Sequence, residues 1–226
     1  FIWFGAEVGL NRFDGNRIKV FLKESGNPGS LPDNLVFCMV ESEVRPGIMW
    51  LGTGDGLCRF HMDTETFYPV PFPRGKNIHP GTVMVTGIIE EADGNLWIGT
   101  RGAGMVRFNP RTGESRQVAG HPLFVRSLAT GHSGKIWVGS YANGLFILDP
   151  DTLTLKSFNA LPHYRDFRCR EVYALICDRG GAIWAGCRGS GLYRIARKKN
   201  PAAGTGDYAV THFYYDPNRP GQGGLK

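Results

Sequence analysis

Residues 96–110 read LWIGTRGAGMVRFNP, and versions of this stretch return along the whole chain. The other copies are IWFGAEVGLNRF from Ile2, MWLGTGDGLCRF from Met49, IWVGSYANGLFIL from Ile136 and IWAGCRGSGLYRI from Ile183. Every tryptophan sits at the same place in a copy: Trp3, Trp50, Trp97, Trp137 and Trp184 stand 47, 47, 40 and 47 residues apart. A period of about 40 to 50 residues marks either propeller blades or helical arrays.

Local alternation decides for strands. Leu96, Ile98 and Thr100 oppose Trp97 and Gly99, the period of two that a pleated strand requires. Helical repeats need apolar spacings of three and four and do not tolerate a Gly or Pro every few residues. In this copy the pattern predicts strands over 83–91, 96–100, 105–109 and 114–119, separated by Ala92-Asp93-Gly94-Asn95, by the loop Arg101-Gly102-Ala103-Gly104 and by Pro110-Arg111-Thr112-Gly113. The next unit predicts strands over 124–130, 136–140, 145–149 and 155–158, and the last over 171–177, 183–187 and 192–196. The expected fold is all-β: a β-propeller of four-stranded blades.

Two glycines recur with the tryptophan. The first lies two residues after it, as Gly99 does, where a neighbouring sheet comes close. The second, such as Gly104, stands where a loop turns back into a strand and a positive φ is useful. The tryptophans read as wedges between sheets rather than as ligand-stacking residues.

Bulk composition narrows the classes. Gly 32 and Pro 14 make about a fifth of the 226 residues, yet 42% are hydrophobic, so this is a turn-rich folded chain. The net charge of +6 is scattered, with one compact run at Arg197, Lys198 and Lys199 and no nucleic-acid motif, so no nucleic acid is expected. No apolar run approaches the roughly 20 residues that span a bilayer. The five cysteines contain no CxxC pair, so neither a zinc site nor a disulfide framework is expected. Cys38, Cys58 and Cys177 fall within strands and read as buried free thiols, while Cys187, at a strand end, reads as more exposed. The chain opens at Phe1 inside a copy, which predicts a partial propeller over 1–226 within a longer protein. HFYYDPNRPGQGGL from His212 is similar to VFLKESGNPGSLPDNL from Val20, which predicts the start of a further blade over 207–226.

The repeat resembles that of the two-component regulator propeller family, in which a strand, an Asp-Gly-Asn-like turn and Leu-Trp-Ile-Gly-Thr precede Gly-Leu and an Arg-Phe-Asp-like strand. Residues 91–100, EADGNLWIGT, follow that pattern closely, and Tyr214-Tyr215-Asp216-Pro217-Asn218 resembles its link between blades. The resemblance implies a seven-bladed propeller, of which about five blades' worth is present. It implies the periplasmic or extracellular sensor of a hybrid histidine kinase or diguanylate cyclase, recognising oligosaccharides. Partners implied are such a ligand, the remaining blades, downstream signalling domains and a second copy in a homodimer. Any kinase or cyclase activity would lie outside this chain.

For catalysis in the chain itself the residues offer little. There is no HExxH, no GxSxG and no metal-spaced His cluster, so no catalytic residue, metal or cofactor is expected. GTGDG at 52–56 and GTRGAG at 99–104 look like phosphate-binding loops but lead into strands, not helices. Rival readings are a propeller lyase of the virginiamycin B type and a non-catalytic interaction platform. The loops that enter each inner strand and those that follow each Trp strand share one face of a propeller. They carry Glu7, Asn34, Asp55, Thr82, Arg101, Arg126, Tyr141, Asn143, Arg168, Arg170 and Arg188. Five arginines on one face, with Tyr141 to stack on a sugar ring, predict a site for an acidic oligosaccharide or similar anion; the alternative is that they bridge blades or hold a neighbouring domain.

Overall fold

The computed structural model describes residues 1–71, 83–120, 124–131, 134–164, 167–201, 206–215 and 224–225, and these form strands and turns with no helix among them. They divide into two units, 1–117 and 118–226. In the first, one sheet holds β1 (Ile2–Ala6), β2 (Gly9–Phe13) and β3 (Ile18–Phe21). A second holds β4 (Val36–Glu41), β5 (Ile48–Thr53), β6 (Gly56–His61) and β7 (Thr66–Val70), and a third β8 (Met84–Glu90), β9 (Leu96–Arg101), β10 (Met105–Phe108) and β11 (Ser115–Gln117). The second unit has a fourth sheet, β12 (Val125–Thr130), β13 (Ile136–Ser140), β14 (Leu145–Asp149) and β15 (Thr154–Ser157). Its fifth sheet runs β16 (Val172–Cys177), β17 (Ile183–Cys187), β18 (Gly191–Arg197), β19 (Tyr208–Tyr214) and β20 (Gly224–Leu225).

All neighbours pair antiparallel in chain order, as short turns between consecutive strands dictate. The turn after β8 shows the local chemistry. Gly94 sits at φ 80°, its N–H donates to the Glu91 carbonyl at 2.8 Å, and the Asp93 carboxylate accepts from the Asn95 N–H at 2.9 Å. The strands around Trp137 and Trp184, and β14, have the ends predicted from sequence; the outer strand of the third sheet is shorter, Ser115–Gln117 rather than 114–119. The expectation for 207–226 changes in its first part. Tyr208–Tyr214 pairs with β18 in the register Leu192 to Phe213 and so completes the fifth sheet rather than opening another.

Within each unit the sheets stack face to face through their Trp strands. Trp50 is buried with Leu57, Val85, Ile88, Leu96, Ile98 and Phe108, joining the second and third sheets. Trp3 packs against Phe21 and Phe60, and Trp137 lies in a core with Val172, Ile183, Ala185 and Tyr193 of the fifth sheet. The glycine two places after Trp makes this approach close. A Cβ built on Gly5 would fall 2.7 Å from the Val36 carbonyl, on Gly52 2.5 Å from that of Val85, and on Gly139 2.7 Å from Cγ1 of Val172. Each incoming valine stands at or beside the start of the next sheet's inner strand, and that strand's register shifts just after it, at 36/38, 85/87 and 172/174. The bulge turns the valine out of its own sheet into the glycine slot.

At Gly186 of the fifth sheet the slot is open: the nearest atom among the described residues is Ala174 Cβ of the same sheet, 3.7 Å away. The sheet face around it exposes Ile176, at 65%, and Leu192. The first sheet exposes Ile2, Phe4, Ile18 and Val20 on the face opposite Trp3.

Candidate functional site

The loops after the Trp strands share one clamp. Thr53, Thr100 and Ser140 are buried, and their hydroxyls donate to the carbonyls of Gly56, Gly104 and Gly144 at 3.0, 2.9 and 2.8 Å. The same oxygens accept from the N–H groups of Asp55, Ala103 and Asn143 at 3.2, 3.0 and 2.8 Å. Gly104 closes its loop at φ 69°. With the backbone tied inward, the variable residues face solvent: Asp55, Arg101, Tyr141 and Asn143 are exposed.

In the fifth sheet the clamp position is Cys187, which is disulfide-bonded to Cys169 with the Cα atoms 5.7 Å apart. This corrects the expectation of unbonded cysteines. The two are 18 residues apart and form no motif. The antiparallel pairing of β16 with β17, Val172 opposite Cys187, is what carries the segment before β16 alongside the end of β17. Cys38, Cys58 and Cys177 are free thiols; Cys58 is fully buried, and burial pushes the Cys38 and Cys58 thiols up to about 12.

Backbone bonds draw four segments of the second unit into one rim. Tyr141 N–H donates to the Phe124 carbonyl at 2.8 Å, Gly144 N–H to the Arg170 carbonyl at 2.8 Å, and Arg188 N–H to the Glu171 carbonyl at 3.0 Å. On this rim the Arg126 guanidinium lies 4.0 Å over the Tyr173 ring. Arg188 reaches the Glu171 carboxylate at 3.4 Å and the Tyr173 hydroxyl at 3.5 Å, and these two groups, Tyr173 first, raise its pKa above the ordinary guanidinium value. Arg168 and Arg170 are exposed on either side of buried Cys169, and no described carboxylate pairs with either. Arg168 also lines an open cavity of about 1060 Å³ with Tyr164, Phe167, Tyr193, His212 and Tyr214. In its wall the Tyr193 and His212 rings stack at 4.0 Å, and burial raises the Tyr193 pKa.

Six of the residues singled out from sequence therefore belong to the second unit, Arg126 near the start of β12 and Tyr141, Asn143, Arg168, Arg170 and Arg188 in loops. Arg101 belongs to the first unit, as do Glu7, Asn34 and Asp55, and Thr82 lies outside the described residues. Asn34 has a structural role, since its side chain accepts the Lys23 N–H at 2.8 Å and its carbonyl the Gly9 N–H at 2.7 Å. Sequence reading missed Glu171 and Tyr173, which contact Arg188, and Tyr173 also Arg126. The bulge between Val172 and Ala174 breaks the alternation that would have shown which way Tyr173 faces.

Residues 80–102 match the sequence profile of the family described as two-component regulator propeller. The chain carries a two-component regulator propeller repeat. Solved structures with the same fold include the extracellular domain of BT3049 from B. thetaiotaomicron, assigned to a hybrid two-component system, at 23% identity over 94% of this chain and 29% of that one, with a TM-score of 0.69. The extracellular domain of BT4673 from the same organism, assigned to a one-component system, gives 24% identity over 88% and 26%, with a TM-score of 0.68. A virginiamycin B lyase from Staphylococcus aureus gives 14% identity over 89% and 61%, with a TM-score of 0.60. The fold is thus a β-propeller. This propeller chain spans about a quarter of the length of the two extracellular domains. No curated protein sequence matches it. Among the described residues no three His, Cys, Asp or Glu side chains are grouped so as to hold a metal, and no helix is long and apolar enough to cross a membrane, which does not bear on β-barrels.

Proposed function

We propose that this propeller is the recognition part of an extracytoplasmic sensor in a two-component or related signalling protein, and that it binds an oligosaccharide bearing acidic groups. The observation that carries the reading is the rim of the second unit, which brings together Arg126, Arg168, Arg170 and Arg188 and where, among the described residues, one of the four, Arg188, pairs with a carboxylate, that of Glu171. A guanidinium offers paired donors to a carboxylate or sulfate, and the exposed Tyr141 ring offers a face to a sugar. Kinase or cyclase output belongs to other segments of the parent protein. An extracytoplasmic place agrees with the similar extracellular domains and with the Cys169–Cys187 disulfide, since disulfides persist in oxidising compartments. The uncovered faces around Gly186 and around Ile2 and Phe4 fit further sheets of the same repeat as partners within a longer chain.

Calorimetric titration of the chain with matched acidic and neutral oligosaccharides tests the reading. Acidic members should bind, and Arg170→Ala should weaken them about tenfold, the equivalent of one charge-assisted hydrogen bond. Equal binding of both classes, or indifference to Arg170→Ala and Arg168→Ala, would remove the acidic-ligand reading.

A further inference from the structure

Three Trp strands carry, at their last or next-to-last residue, a hydroxyl that fastens the following loop: Thr53, Thr100 and Ser140, each three residues after its tryptophan. The corresponding position in the fifth sheet is Cys187, whose sulfur is engaged by Cys169. A hydroxyl clamp ties a loop to its own glycine. The disulfide instead ties the end of the Trp strand to the segment before the inner strand, and so joins two loops. Cys169 is buried between Arg168 and Arg170, and Arg188 follows Cys187 directly. One covalent bond therefore anchors three of the four rim arginines.

We infer that the Cys169–Cys187 disulfide is a redox-sensitive clamp that positions the arginines of the rim, standing in for the hydroxyl clamp of the other sheets. The inference of a role in binding rests on the reading of the rim as a ligand face. The positioning itself does not. In the oxidised chain, 168–170 and 188–190 are held at fixed separation. A dithiol reductant attacks one sulfur, displaces the other as thiolate, and closes to its own cyclic disulfide, leaving two protonated cysteines. Among the described residues, the remaining ties of the 188–190 loop to its surroundings are the Arg188 N–H to Glu171 carbonyl bond at 3.0 Å, a Ser190 N–H to Cys187 carbonyl contact at 3.4 Å, the Arg188 side chain on Glu171 and Tyr173 and the His212 ring on the Ser190 carbonyl. None of these replaces the lost crosslink between Arg168, Arg170 and Arg188.

The test compares the natural sequence with two double variants, Cys169→Ala/Cys187→Thr, which restores the hydroxyl of the other sheets, and Cys169→Ala/Cys187→Ala, which has neither clamp. Alkylation of the denatured, unreduced protein should find three thiols, from Cys38, Cys58 and Cys177. Dithiothreitol should speed hydrogen exchange at 188–190 about tenfold in the natural sequence, a loss of local protection rather than global unfolding. The threonine variant should stay protected with or without reductant, and the alanine variant should exchange fast in both. Binding of dextran sulfate, with neutral dextran as the blank, should weaken on reduction of the natural sequence alone. Five free thiols, or exchange at 188–190 that ignores reduction, would overturn the clamp. If exchange responds as expected while Arg168→Ala and Arg170→Ala leave dextran sulfate binding unchanged, the clamp stands and the ligand reading of the rim fails.

Discussion

Cγ1 of Val172 lies 2.7 Å from the point where Gly139 would carry a side chain. Val36 meets Gly5 and Val85 meets Gly52 in the same way, so one contact type sets the sheet separation in both units. Because a methyl group has no room there, Gly139→Ala and Gly52→Ala are each expected to destabilise their unit by about 1–3 kcal/mol, the usual cost of overpacking. Gly186→Ala meets only Ala174 at 3.7 Å and should be neutral or stabilise by up to about 1 kcal/mol through lost chain entropy. Urea denaturation of the three variants distinguishes a sheet-separating role from a generic intolerance of alanine.

Glu90, with its side chain 5% exposed, collects donors from the neighbouring sheet. It accepts from Trp50 Nε1 at 3.1 Å, Arg45 Nη1 at 3.0 Å, Ser42 Oγ at 2.9 Å and the Glu43 N–H at 3.1 Å. Removing the carboxylate strands a partly buried guanidinium and an indole N–H together. Glu90→Ala should cost about 3 kcal/mol, near the low end for breaking a buried pair because Arg45 keeps 22% exposure. Trp50→Phe should cost less than Glu90→Ala if the hub is the carboxylate. A larger loss for Trp50→Phe would place the weight on ring packing instead.

Acid should loosen the second unit by way of Asp178. Its carboxylate accepts from Trp184 Nε1 at 2.8 Å and from the Ala182 N–H at 2.9 Å, and these bonds lower its pKa below the ordinary value. A carboxyl with a lower pKa folded than unfolded binds fewer protons in the native state. Its stabilisation is therefore complete above the unfolded value of about 3.9 and disappears as pH falls through the folded one. Asp149, held by Lys135, shifts the same way. Denaturation midpoints should be flat from about pH 5 to 7 and fall below about pH 4. Asp178→Asn should lower the plateau and shallow the acid slope, and an unchanged slope would show that Asp178 is not part of it.

The architecture was legible in the sequence because Trp, Gly and turn chemistry repeat with a period too regular for anything but stacked sheets. Alternation in 136–140, 145–149 and 183–187 located those strands to the residue. What was hidden depends on pairing across strands. The bulges after Val36, Val85 and Val172 add a residue without altering composition, and they decide where each valine and Tyr173 points. The disulfide joins residues brought together by register alone. The segment from His212 read as a beginning because it resembles the one from Val20, yet Val20 itself lies on the outer strand β3 of the first sheet, as His212 lies on β19 of the fifth.

The most direct test of the account is hydrogen exchange on the oxidised chain with and without an acidic oligosaccharide at saturating concentration. Slowed exchange confined to 141–143, 168–171 and 188–190 is the predicted result. Binding that leaves those three segments unprotected, or that protects the first unit alone, would contradict it.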